Sequence, residues 1–466
     1  MKKCLIFNSR NFSGMKKTML IAILLTITPN LQATTFHINP STGSNITGDG
    51  SVSNPWQTLN YVITNNLIES NSYATPYDPN NPQLIIKNLG APIKSGDTLL
   101  LYSGLHGEVD LIKYVNNQYI TIKAASNQNP IVERIHLRAS SKWRFQGLNV
   151  SFEPYGTHFN KLIWLQSDSY LGPTTNIDID SCFVYSTTSA WTTAADWLAN
   201  VGDGVYIDGD TINLSNTLIK NCGMGVALRG QYVNVVNNVV ENFSRDGMRL
   251  SNSNNSIIGN IIKNCYKIDD NHDDGIQAYS TDSINNIVIS QNIILNFEDP
   301  NQPLLGTLQG IGCFNGPYDN WIITNNVVSV NHFHGISLYG ATNIKIYNNT
   351  VIDPLPDTYP GPSSIRINDY ANSGAYSANC DIKNNAANNV TIVVSDSSTI
   401  TTQNNVTLSN SQEYNSHFVN YSTNNFALLP TSSLIDAGTP TVNLTVDIED
   451  NPRPSGTQID IGAYEY

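Results

Sequence analysis

Between residues 204 and 340 the chain repeats one short phrase: a glycine, an apolar residue, a variable residue and a second apolar residue. Gly204-Val-Tyr-Ile, Gly225-Val-Ala-Leu, Gly247-Met-Arg-Leu, Gly275-Ile-Gln-Ala and Gly335-Ile-Ser-Leu carry it, and Gly310-Ile-Gly-Cys is a looser copy. A second series sets an Asn before a short apolar pair, at Asn216, Asn238, Asn260, Asn292, Asn326, Asn349, Asn385 and Asn405. A third, Asn221, Asn242, Asn264, Asn296 and Asn331, closes each unit. The tightest spacings, 21 and 22 residues, are too short for a two-helix repeat. They fit one turn of a parallel β-helix, three short strands joined by three corners. One coil cannot bury its apolar face, whereas coils stacked about 4.8 Å apart make a continuous core. Like residues then form columns, and Asn side chains can hydrogen-bond along them.

The rest of the composition agrees with this reading. Charged residues are only 13% of the chain, and no long amphipathic helix period competes with the strands. A solenoid also escapes the size limit of a single core, because coils add length without thickness. The chain opens with Met15-Lys-Lys, an apolar run from Met19 to Ile27 and a polar stretch ending at Ala33. This predicts a secretory leader over residues 1–33 and an exported protein, periplasmic or extracellular. The run is too short to span a bilayer, so no membrane insertion is expected. Removing the leader leaves 19 basic against 37 acidic residues, a balance of −18. Such a surface argues against nucleic acid as a partner. Five scattered cysteines remain, Cys182, Cys222, Cys265, Cys313 and Cys380. They suit buried free thiols better than a disulfide framework.

The expected organisation is an N-terminal cap with first coils over 34–110, a β-helix over 111–425 and a C-terminal cap over 426–466. Residues 186–200 interrupt the coils and read as a short helix behind a Ser/Thr cap. The opening, Gly48-Asp-Gly-Ser then Pro55-Trp-Gln-Thr-Leu then Gly96-Asp-Thr, resembles secreted right-handed β-helix proteins of the pectate-lyase-like superfamily, including chondroitinase-B-like and alginate-lyase-like members. The closing Pro452-Arg-Pro and Ile459-Asp-Ile-Gly-Ala-Tyr-Glu-Tyr is similar to the end segment of the same group. The resemblance implies an all-β, right-handed parallel β-helix with capped ends, acting as a monomer on a polysaccharide. It leads to cleavage of an acidic polysaccharide by β-elimination.

Side chains that break the repetition carry the candidate chemistry. The residue before each repeat glycine reads Asp203, Met224, Asp246, Asp274, Gln309 and His334; two residues after the glycine come Tyr206, Ala227, Arg249, Gln277, Gly312 and Ser337, with Arg366 continuing the column. Alternation points the second set outward but would point the Asp column inward, unless the corner resets the phase. The densest point, Asp269-Asp270-Asn271-His272-Asp273-Asp274, packs four carboxylates and an imidazole into six residues. Such a cluster calls for a compensator: a Ca²⁺ ion held by Asp269, Asp270 and Asp273, or a shared proton on a raised carboxyl. Asp-Gly corners are also ordinary turn chemistry, and the run reads equally as a solvated loop.

The catalytic candidates are Asp246, His272, Asp273, Asp274 and His334, and the substrate-binding candidates Arg229, Arg249, Gln277, Tyr279, Tyr339 and Arg366. Elimination would use an Arg or Ca²⁺ against a uronate carboxylate and His272, His334 or Lys267 as base; C5-epimerisation needs the same groups. Hydrolysis needs two carboxyl groups about 5 Å apart, or about 6.5–9.5 Å, according to stereochemistry. Asp246-Gly, Asp273-Asp274, His334-Gly-Ile-Ser and Ile-Arg366-Ile follow the order of the polygalacturonases, which they resemble. An extra coil intervenes here, Phe333 stands where that family has Gly, and Asn368 where it has Lys. His332 reads as an interior imidazole. A non-catalytic glycan-binding adhesin, gripping sugars with Tyr206, Tyr279, Phe314 and Tyr339, is the alternative from a different class.

Overall fold

The computed structural model describes residues 33–356, 358–370, 374–440 and 444–466. The leader expected over residues 1–33 lies, apart from Ala33, outside them. Thr34–Tyr466 forms one compact unit. Three long sheets run along it, and each turn of chain contributes one strand to each. The first sheet starts at Thr35–Ile38 and ends at Thr401–Gln403, the second runs from Gly104–Leu105 to Val406–Thr407, and the third from Val109–Ile112 to Val390–Val393. Successive strands pair in parallel and mostly in register. The third sheet carries the strands that matter below: β1 (Asp203–Ile207), β2 (Val226–Leu228), β3 (Met248–Leu250), β4 (Asp274–Ala278), β5 (Gln309–Cys313), β6 (His334–Tyr339) and β7 (Ser364–Asn368).

The repeat glycine has a steric cause. A Cβ added at Gly204, Gly225, Gly247, Gly275, Gly310 or Gly335 would run into Ile219, Val240, Ile262, Ile294, Val328 or Val351, a branched residue of the second sheet in the same turn. The two sheets close to an edge there, and only hydrogen fits. The Asn corners have a different cause. Asn216, Asn221, Asn237, Asn242 and Asn264 hold φ between 50° and 64°, a left-handed conformation that Asn tolerates better than other side chains.

An Asn ladder crosses the core. Asn238 donates to Asn260, Asn260 to Asn292 and Asn292 to Asn326, each at 3.0 Å. The column continues through Asn349 and Asn385 to Asn405 at 2.8–2.9 Å. The expected first member, Asn216, stands one position off; Thr217 holds the rung, its N–H donating to Asn238 Oδ1 at 3.0 Å. The third Asn series is not one column. Asn242 bonds Asn221 and Asn296 bonds Asn331, both at 2.8 Å, while Asn264 turns to Glu298. Phe243 lies between Cys222 and Cys265 in register, and the five described cysteines are free and buried.

Helices sit at the margins. α1 (Leu59–Thr64), capped by Thr58, buries Leu59, Val62 and Ile63 at the N-terminal end. α2 (Ala194–Asn200) stands behind the Thr193 cap in the expected interruption. The coil strands end at Thr407, earlier than the expected 425, and α3 (Ser411–His417) follows. The closing segment, expected over the end of the stack, packs on the outer face of the second sheet against Leu295, Val327, Ile352 and Ala386. Asn325 and Asn348 clip it to successive corners through its backbone carbonyls at Val446 and Asp460. A buried Arg453–Glu465 pair at 2.6 Å closes it.

Candidate active site

On the third sheet the glycine also sets which side chains meet solvent. Gly275 and the following Ile276 both face the core, so the alternation slips by one and Asp274 lies on the same outer face as Gln277. Contacts three residues apart show the result in coil after coil. Arg249 Nη2 lies 2.5 Å from Asp246 Oδ2, Gln277 Nε2 donates to Asp274 Oδ2 at 2.9 Å, and Ser337 Oγ lies 2.8 Å from His334 Nδ1. The Asp column thus faces outward, as the reset requires. Register places Asp246, Asp274, Gln309 and His334 on successive strands. Asp246 and Asp274 are nonetheless buried, each 0% exposed, although Asp274 borders the cleft.

Burial without full pairing decides the electrostatics. The Asp274 carboxyl is held well above the usual carboxylate range by burial first and by the Asp246 charge second. Burial lifts Asp246 too, but the Arg249 guanidinium beside it favours its charge. Asp246 also accepts the Asp274 backbone N–H at 3.2 Å. Asp274 is the harder of the pair to ionise, having the Gln277 amide for a side-chain partner, whereas Asp246 has a guanidinium beside it. Asp274 Oδ1 is buried with no hydrogen-bond partner among the described residues.

Above these acids lies a cleft of about 980 Å³ lined by Arg249, His272, Asp274, Gln277, Tyr279, Gln309, Phe314, His332, Phe333, His334 and Tyr339. One wall is aromatic: His334 packs on Phe314 at 4.7 Å and on Phe333 at 4.1 Å, and Tyr339 meets Phe314 edge-on at 5.4 Å. Burial drives His334 down to about 3 and His332 down to about 4, so both are neutral imidazoles in ordinary buffers. A neighbouring bay, sharing Arg249 and Tyr279 with the cleft, is lined by Lys161, Tyr206, Arg229 and Arg245.

The candidate residues therefore separate. Asp274, His272, His334, Arg249, Gln277, Tyr279 and Tyr339 line one cleft, with Asp246 directly beneath Arg249. Arg229 belongs to the adjoining bay, where Asp208 lies at 3.3 Å. Arg366 is set behind Phe333, 5.5 Å from its ring. Asp273 turns away into the corner, where Lys267 Nζ lies at 3.7 Å and Cys265 Sγ at 3.6 Å, and burial lifts it to about 7. Asp269 and Asp270 stay in solvent, Asp269 accepting the Asn271 N–H of its own turn at 2.9 Å. The acidic run is thus split three ways, and no three His, Cys, Asp or Glu side chains converge as a cation cage among the described residues. Adjacent residues in a strand and its lead-in point apart, which density along the sequence cannot show. His332, expected in the interior, is a wall of the cleft. Tyr359, Pro360 and Tyr370, also in the lining, escaped the sequence reading because they sit in insertions with no period, and Phe333 stands out there only as a departure from a family pattern.

Residues 200–351 match the family model described as "Right handed beta helix region". The chain is a right-handed parallel β-helix. No curated protein matches the β-helix in sequence. Among solved structures it is similar to pectate lyase Pel9A (16% identity over 93% of this chain and 97% of that one, TM-score 0.43). It is also similar to XylC in complex with xylose (10%, 76% and 75%, 0.47) and to the mannuronan C-5 epimerase AlgE6 A-module of Azotobacter vinelandii (12%, 67% and 90%, 0.42). Identities this low carry no chemistry from one protein to another.

Proposed function

We propose that the cleft hydrolyses a glycosidic bond of a polysaccharide, with Asp274 as the general acid. The observation that carries this reading is the Asp274 carboxyl: raised by burial and by the neighbouring Asp246, lining the cleft, and with no partner for Oδ1 among the described residues. A carboxyl whose hold on its proton is raised is what protonation of a leaving sugar oxygen requires. The aromatic wall of Phe314, Phe333 and Tyr339 offers apolar faces for sugar rings, and Gln277 and Arg249 offer donors to their hydroxyls. In the proposed step Asp274 gives its proton to the glycosidic oxygen and the bond to the anomeric carbon breaks. Water adds to that carbon, and its surplus proton returns to the carboxylate that Asp274 has become.

Elimination, to which the end segments lead, is less well served by these side chains. His334 and His332, depressed to about 3 and 4, are weak bases for a carbon acid, and Arg249 is already held by Asp246. The test is incubation with a panel of neutral and acidic polysaccharides, scored for new reducing ends and for the absorbance of unsaturated uronate. Reducing ends without absorbance are expected. Absorbance would move the chemistry to elimination, and binding without either would leave a glycan-binding protein.

A further inference from the structure

Three strands of the third sheet engage the residue before the repeat glycine through the residue three positions on: Asp246 with Arg249, Asp274 with Gln277 and His334 with Ser337. β5 breaks this rule. Its residue before the glycine is Gln309, and the place of the engaging side chain is taken by Gly312. Gln309 is 7% exposed and lines the cleft, yet its Oε1 has no hydrogen-bond partner among the described residues. The gap at Gly312 is used by the acid, since a Cβ there would collide with Asp274 Oδ1 and crowd Phe314. Two buried side-chain oxygens without partners, Asp274 Oδ1 and Gln309 Oε1, therefore sit on register-paired strands. Asp246 and His334 are engaged by side chains of their own strands, while Asp274 Oδ1 and Gln309 Oε1, side by side at the cleft, are left for a group that arrives with a ligand.

We propose that Gln309 determines specificity, its amide oxygen accepting a hydrogen bond from a hydroxyl of the sugar whose glycosidic oxygen lies against Asp274. This rests on reading the cleft as a glycan site and adds a substrate class: glycans with that hydroxyl free, adjacent to the bond attacked. A site whose buried acceptor is matched to a hydroxyl rejects the analogue that lacks it, because the acceptor is then left unpaired.

The test uses tetrasaccharides of xylose, glucose, mannose, galacturonate and mannuronate, each native and with single hydroxyls replaced by hydrogen. They are titrated calorimetrically into the mature chain carrying Asp274→Asn, which stops turnover. At least one native sugar should bind, and one of its deoxy forms should bind roughly 10- to 100-fold more weakly. Adding Gln309→Met, close in size and without the amide, should shrink that ratio to under about threefold, whereas Gln309→Glu, which keeps an acceptor, should preserve it. Discrimination that survives Gln309→Met, equal binding of native and deoxy sugars, or binding of none overturns the proposal. Discrimination lost as expected, with no cleavage of the bound sugar by the wild-type chain, would instead sink hydrolysis and leave Gln309 in its role.

Discussion

The Asn ladder and the column before the repeat glycines run along the same stack, and both bury polar side chains. In the ladder each amide from Asn238 to Asn385 donates to the next, so every coil completes its neighbour. In the column the chemistry changes at each step, from Asp246 to Asp274, Gln309 and His334, and two oxygens are left without partners. Uniformity gives stability, since a buried polar group is harmless once paired. Variation leaves groups unpaired, and an unpaired buried acid or amide is ready to be completed by a ligand. The difference between the two columns separates what holds the coil together from what the proposed function draws on.

The largest expected effect lies in the column. Asp274→Asn should lower the cleavage rate about 10²- to 10⁴-fold while leaving the melting temperature unchanged or higher, because it removes a buried acid. A large loss of stability in this variant would mean that the column is structural like the ladder. In the ladder the expectations reverse. Asn292→Ala should cost about 3 kcal/mol in denaturant unfolding, as it unpairs the Asn260 backbone N–H and amide on one side and frees the Ile257 and Ser290 carbonyls on the other. Activity of the folded fraction should be unaffected.

Asp273 gives a pH test between these extremes. Its folded value of about 7 lies above the 3.8 usual for an aspartate, so the folded state binds its proton more tightly than the unfolded chain does. The stability it contributes is complete below 3.8 and is lost as pH rises through about 7. Asp273→Asn should therefore flatten the decline of stability over that window and match the wild type below it, as read from urea midpoints in a pH series. The smallest effect belongs to the bay beside the cleft. Arg229 is 56% exposed and 3.3 Å from Asp208, so Arg229→Ala should change stability by less than about 1 kcal/mol. A rise in KM with kcat unchanged would show that the bay extends the binding groove.

Much of this was legible because a solenoid turns sequence period into spatial neighbourhood. The phrase Gly-apolar-x-apolar located the third sheet, and register then made Asp246 and Asp274 neighbours across 28 residues of sequence. The short helix at 194–200 followed from its Thr cap. What the period could not supply was the direction of side chains at the corner. Asp273 and Asp274 are adjacent in sequence, yet one faces Lys267 and Cys265 and the other faces the cleft. Nor could it supply the walls from non-repeating insertions, such as Tyr359, or the shift of the ladder from Asn216 to Thr217.

The amino-acid order by itself determined the coil, its core-facing residues and the column in which the acids fall, because strand alternation and stacking are local rules repeated at a near-constant interval. Only the tertiary structure decided which acid is the harder to ionise, that Gly312 makes room for it, and that Gln309 Oε1 has no partner among the described residues. Those outcomes depend on how deeply each group is buried and on which atoms of the next coil come within hydrogen-bonding reach, quantities that exist only once the coils are stacked.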